Sequence, residues 1–416
     1  MSKTPEELHT ERKQRILDAA ALKRPDRIPI MLPFGYMLAR LGGITVHELE
    51  NDPARSQAIL EQAAQRYGAD MVGGNAASSV PSTLVGDRTT KWSGKDLPAT
   101  QPFQYVEGEY MKADEYDSFL NDPSDFAIRT YLPRVFTKLA GLSELPALGM
   151  NLYGYYNLRN STALLNPNVI GALHTLTKVG EFFAQSGAMM VENIKRLAAL
   201  GCPMGVIGGG ALIEAPFDFM SDTLRGMRGI FLDMRRCPEK LLEAENRVAK
   251  IMVDYAVALA KKTGRMYATF PLHRGADGFM SLEQFEKFYW PQFKWMLLQL
   301  IDAGVTPYVY WEGIWDQRLE YLRELPRAKT IGWFQFGDIF KVKQVLGDTM
   351  CIIGGMPNSM LQASSPEQIR AYTRQVCEIM GKNGGFIMAP AIVTMDDCEP
   401  DLVQVWVDAT KEFGAY

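Results

Sequence analysis

The chain has few cysteines, no long apolar run and no surplus of positive charge, and each shortage closes a class of function. Its five cysteines, Cys202, Cys237, Cys351, Cys377 and Cys398, are scattered without CxxC spacing. That argues against a disulfide framework or a cysteine-built metal module, and reads as reduced thiols of a cytoplasmic protein. Apolar stretches such as residues 295–301 fall far short of a membrane span. Residues 1–24 are highly charged and contain no apolar segment of the kind a secretory signal needs. A net charge of −4 and a pI near 5.8 make nucleic acid or an anionic membrane an unsuitable main partner. Low-complexity tracts, repeats and interdomain linkers are also missing, so residues 1–416 are expected to form a single domain.

What is present suits a soluble enzyme. At 46.6 kDa, with 47% apolar and 22% charged residues, the chain can bury a large core, and its 22 methionines suit adaptable packing. A charged amphipathic helix is expected over residues 5–22 and another over 56–67, each followed by a short apolar run. Residues 75–104 are rich in Gly, Ser, Thr and Pro and read as a long loop with a hairpin. Excursions and cover are expected to continue to about residue 201. Beyond residue 202 strand-like runs at 204–207, 266–272, 307–311, 330–336, 350–353 and 385–390 alternate with helical patterns. The helical patterns cover 221–233, 238–262, 281–303, 315–325, 340–346 and 365–382. Repeated β-then-α order implies a parallel sheet. With two further units before Gly73, the expected fold is α/β, a (β/α)8 TIM-type barrel with N-terminal helical additions.

In such a barrel chemistry is done at the C-terminal ends of the strands. The run Tyr308-Val309-Tyr310-Trp311 delivers Glu312 to that rim, His273 follows Leu272, and Asp338 follows Phe336-Gly337. His, Glu and Asp from successive strand ends suit proton transfer or a Lewis-acid metal such as zinc, with His273 and Glu312 as ligands. Each also has a plainer role open to it: His273 as a hydrogen-bonded structural residue, Glu312 or Asp338 as a helix cap. Phe34, Tyr36, Tyr310, Trp311, Trp315 and Trp333 gather near the same rim and could wall an aromatic ligand, or serve as barrel core.

Short motifs along almost the whole chain resemble the uroporphyrinogen decarboxylase superfamily. They are Arg24-Pro25-Asp26-Arg27-Ile28-Pro29, Leu224-Arg225-Gly226-Met227, Asp233-Met234-Arg235-Arg236-Cys237-Pro238-Glu239 and His273-Arg274-Gly275. Further matches are Glu312-Gly313, Asp338 with Lys341 and Lys343, Ile353-Gly354-Gly355-Met356-Pro357, and Gly384-Gly385-Phe386-Ile387-Met388-Ala389-Pro390. Within the superfamily the chain looks most like the corrinoid-dependent methyltransferase branch, the methyltransferase component of O-demethylases. The decarboxylase holds porphyrinogen carboxylates with arginines after its first strand; here that stretch is Leu32-Pro33-Phe34-Gly35-Tyr36. Thiol-methylating members bind zinc through His-x-Cys and a distant Cys, positions that fall at Tyr310, Glu312 and Ile392. The resemblance therefore implies methyl transfer from a donor such as a phenyl methyl ether to the cobalamin of a separate corrinoid protein. No Asp-x-His-x-x-Gly motif offers a cobalt ligand within this chain. A decarboxylase or lyase acting on a small apolar acid is the alternative. Homo-oligomers remain open.

Overall fold

The computed structural model describes residues 3–74 and 77–416. The chain separates into two compact units, one of residues 1–76, 192–218 and 248–416, the other of residues 77–191 and 219–247. The strands in chain order are β1 (Met31–Pro33), β2 (Met71–Gly73), β3 (Thr90–Lys91), β4 (Gln104–Tyr105), β5 (Ala211–Leu212), β6 (Tyr267–Leu272), β7 (Thr306–Ile314), β8 (Ile331–Phe336), β9 (Cys351–Met356) and β10 (Phe386–Pro390).

All but β3 and β4 belong to the first unit, and they form the expected parallel barrel. The sheet runs β5-β6-β7-β8-β9-β10, β1 pairs in parallel with β2, and the bridges Ile30↔Met388 and Val72↔Met204 complete the ring. β9 and β10 are buried along their whole length, as parallel strands covered on both faces must be. Alternation divides the rest. Tyr308, Tyr310, Ile331, Trp333, Ile353 and Ile387 belong to one buried cluster inside the ring, while Phe270, Trp311 and Phe334 point the other way, toward the Trp290–Asp302 helix and the aromatics around it.

Two expectations need correction. The third strand does not run over 204–207. Only the bridge at Met204 survives there, and pairing resumes at β5. Gly205, Gly208, Gly209 and Gly210 have φ of 64, 72, 73 and 72°, a left-handed conformation that no strand accommodates. The helix expected over 315–325 shrinks to Leu319–Leu322, because β7 runs on to Ile314 and Arg318 turns back to bind Asp277. At the N-terminal end of the barrel Asp70, fully buried, accepts from Arg27 (2.7 and 2.8 Å), from Arg15 and from the Ile30 amide (2.8 Å). The Arg24-Pro25-Asp26-Arg27 stretch thus serves a buried ion network that ties the first helix, Pro5–Ala20, to the first two strands.

The second unit carries the β3–β4 antiparallel hairpin, which ends one residue past the stretch expected to hold one; Asn75 and Ala76 of that stretch lie outside the described residues. Its apolar cluster is Val85, Leu139, Leu142, Leu145, Val169 and Ala172. Buried Asp233 accepts from Arg225 and from the Tyr116 hydroxyl at 2.9 Å, so the Leu224-Arg225-Gly226-Met227 motif is part of the unit's internal bracing.

Candidate active site

His273 and Glu312 are brought together by register. In the β6–β7 ladder Leu272 is the partner of Trp311, so the next residue on each strand extends the same row. The His273 Nε2 to Glu312 Oε2 distance is 3.4 Å, and both side chains are partly exposed, 31% and 40%. Glu312 shares the inward parity of Tyr308 and Tyr310. It does not end its strand: β7 continues to Ile314 through a register shift between Trp311 and Ile314. Gly313 takes a φ of 84° in that irregularity, a bulge that turns the rim and re-aims the side chain beside it. Trp315 Nε1 donates to the Glu312 carbonyl at 2.8 Å, so the backbone under the carboxylate is held.

Three polar residues that the sequence reading passed over hold this pair in place. Asp218, fully buried, accepts from the His273 amide (3.0 Å), the Arg274 amide (2.8 Å) and the Tyr289 hydroxyl (2.8 Å). Gln335 accepts from the Gly313 amide at 2.6 Å. Asp277 binds the Gln317 amide at 3.1 Å and the Arg318 guanidinium, and its own amide donates to Ile314 at 2.7 Å. The loop after β6 is thereby fastened to the end of β7. Gln335 had a usable signal, since Ile331, Trp333 and Gln335 share one strand face. Asp218 had none, because it lies 55 residues from His273 in a non-strand segment.

The expected aromatic wall divides. Tyr310 and Trp333 line the barrel interior with ring centroids 5.9 Å apart, and Trp333 Nε1 donates to Pro390 at 2.9 Å. Burial first, and the Glu312 charge second, push the Tyr310 hydroxyl above the ordinary tyrosine range. Trp311 and Trp315 are instead packed on each other at 4.8 Å and against Phe293, Phe334 and Phe285; both are buried, and this aromatic cluster is the layer between strands and helices. Phe34 is fully buried against Tyr67 at 5.7 Å. Tyr36 donates its hydroxyl to Glu50 at 2.9 Å and its amide to Asp396 at 2.8 Å. Asp338 caps the helix Ile339–Leu346, accepting from the Phe340 and Lys341 amides at 2.9 and 3.2 Å. A cleft of about 700 Å³ opens beside Asp338, Lys341, Lys343 and Lys382, and neither His273 nor Glu312 lines it.

As a zinc site the pair is incomplete. Among the described residues no three His, Cys, Asp or Glu side chains come together as a metal-binding group. Protein-bound zinc takes three or four side-chain ligands, so two donors do not fit one. No described helix is long and apolar enough to cross a membrane.

The family model for uroporphyrinogen decarboxylase (URO-D) matches residues 142–413. Among solved structures, a methyltransferase from Methanosarcina mazei superposes with a TM-score of 0.60 at 14% identity, covering 97% of this chain and 98% of that one. No curated protein matches the sequence significantly.

Proposed function

The chain belongs to the uroporphyrinogen decarboxylase family, and from that premise we propose that it is a methyltransferase, taking the methyl group of an aryl methyl ether and passing it to the cob(I)alamin of a separate corrinoid protein. The observation that carries the reading is the His273–Glu312 pair, 3.4 Å apart at the C-terminal rim of the barrel and partly open to solvent. It is supported by the structural likeness to the Methanosarcina methyltransferase, and by the apolar and aromatic end of the first strand, Leu32-Pro33-Phe34, which offers a polycarboxylate no cation.

The chemistry places one demand on the protein. When the methyl carbon passes to the cobalt, the C–O bond breaks and the bonding electrons stay on the phenolic oxygen. Phenolate is a poor leaving group, so a proton supplied as the bond breaks lowers the barrier. His273, as imidazolium, is the donor of that proton, with its Nε2 edge held 3.4 Å from the Glu312 carboxylate. Glu312 stabilises the charged ring before transfer and orients it. Asp218 fixes the backbone beneath His273, and the Gln335–Gly313 bond fixes the backbone beside Glu312. Tyr310 and Trp333 bound the floor on which the arene would rest. No step is routed through zinc.

The test is methyl transfer from a panel of aryl methyl ethers to cob(I)alamin, read by its absorbance change. Glu312→Gln keeps shape and removes charge; a loss on the order of 10²-fold in kcat is expected. Full activity in that variant makes Glu312 structural. Turnover of a substrate with no corrinoid present overturns methyl transfer and favours the lyase chemistry of a small apolar acid.

A further inference from the structure

From the exposed apolar face of residues 148–191 we infer that the chain forms a two-fold dimer through its longest helix, with the two copies of that helix antiparallel. The helix is Pro167–Ala199, 33 residues long. Val169 and Ala172 hold its first turns in the apolar cluster of the second unit. Beyond them a stripe at alternating three- and four-residue spacing runs through Leu173, Leu176, Gly180, Phe183, Gly187, Met190 and Ile194. That is the spacing of a coiled-coil seam. A seam normally faces a partner, yet here Phe183 is 59% exposed and Leu173, Leu176 and Met190 are exposed as well.

The preceding segment is open in the same way. Leu152 is 93% exposed, and Tyr153, Tyr155, Tyr156 and Leu165 are each mostly exposed. At about 180 Å² for a fully exposed large side chain, the exposed apolar side chains of 148–165 and of the stripe together show roughly 1,400 Å². Monomeric proteins rarely show patches beyond about 600 Å², and a stable interface needs roughly 800 Å² per partner. A surface of this size and apolarity suits permanent cover rather than a partner that comes and goes in each cycle. The partner always present in matching amount is a second copy. Charge agrees: Arg159, Lys178 and Glu181 are the only charged residues over 148–191, so the patch can face itself without strong repulsion.

Orientation follows from the glycines. A Cβ on Gly180 or Gly187 would meet nothing within 4 Å, so no contact inside the chain requires them, although each weakens a mid-helix position. In a parallel pair glycine would face glycine and leave voids. In an antiparallel pair the two kinds of seam position meet across the interface, so each glycine faces Leu176, Phe183 or Met190 of the other copy, and large side chains fill small gaps.

The test uses the full-length chain in sedimentation velocity at micromolar concentration, where a mass of twice 46.6 kDa is expected. Gly187→Leu has room within its own chain and improves helix propensity, so it folds; it is expected to weaken the dimer at least tenfold. Phe183→Asp is expected to sediment as a monomer with unchanged circular dichroism. Spin labels on Leu173→Cys, in a Cys237→Ser background, should lie ~30 Å apart across an antiparallel pair; separations near 10 Å overturn the orientation. A wild-type chain that sediments near 46.6 kDa, or dimers that survive both Gly187→Leu and Phe183→Asp, overturn the proposal.

Discussion

The barrel unit and residues 148–191 of the second unit are both rich in large apolar side chains, and they use them in opposite ways. In the barrel, strands such as β9 and β10 bury both faces, and the partly exposed His273–Glu312 pair stands at the C-terminal rim. Along 148–191 most large apolar residues face outward, Val169 excepted, and charge is almost missing. The difference teaches that apolar periodicity reports a face that wants cover, without saying whether the cover is the chain itself or another molecule. Polarity at the end of a buried run is more specific: it has few explanations besides capping and chemistry.

The contrast can be broken most forcefully by truncating one large aromatic from each region. Trp311 is fully buried among Phe293, Trp315 and Phe334. Trp311→Ala should cost about 3–5 kcal/mol in urea unfolding, whatever the protein concentration. Phe183→Ala removes a ring that is exposed within the single chain. Its cost should appear at high concentration, as a weakened dimer, and vanish on dilution. Equal, concentration-independent losses would mean that Phe183 is covered within its own chain and that the two regions do not differ.

A smaller effect is expected at Asp218. Its two oxygens accept from the amides of His273 and Arg274 and from the Tyr289 hydroxyl. Asp218→Asn replaces one acceptor oxygen by a donor nitrogen, so one buried donor loses its partner, at about 1–3 kcal/mol. Because the donors include the backbone of His273, methyl transfer should fall more in kcat than in KM. A variant that loses stability and keeps kcat would make Asp218 a brace of the fold alone.

How far the sequence foretold these roles follows from the range of the interactions. The run 307–311 with Glu312 and His273 was legible, because strand parity and parallel register are local rules and they place the two side chains together. Parity also separates Trp311 from Tyr310 and Trp333 and selects Gln335; grouping the aromatics by nearness to the rim leaves wall and core undivided. Asp218 was beyond reach, since its partners arrive from residues 273, 274 and 289 by tertiary folding. The broken third strand was hidden because Val206 and Ile207 look like strand while the glycines around them decide the backbone. Asp338 was read with its two roles side by side, and the structure gives its carboxylate to the helix N-terminus.

The smallest expected effect separates charge kept for stability from charge kept at the rim for another reason. Asp396 accepts from the Tyr36 amide at 2.8 Å and the Thr394 hydroxyl at 3.0 Å. Burial, the largest influence, raises its pKa above the ordinary 3.8 and outweighs both hydrogen bonds; the charge of Asp397 acts in the same direction. A carboxylate whose folded pKa is raised favours folding through its neutral form. That contribution is fully present below the unfolded pKa and is lost as pH rises through the raised value. At neutral pH the ionised Asp396 therefore works against folding. Asp396→Asn preserves an acceptor for Tyr36 and removes the charge, so its Tm should exceed wild type at pH 7 by an amount worth less than about 1 kcal/mol. The advantage should shrink as pH falls toward 4. A variant less stable at pH 7, or an advantage that grows on acidification, would mean that the hydrogen bonds to the ionised form dominate. If the expected stabilisation comes with slower methyl transfer, the charge is retained for what it does to the Phe34-Gly35-Tyr36 turn beside the first strand, and the barrel rim, like the outward face of residues 148–191, gives up chain stability for what it meets outside.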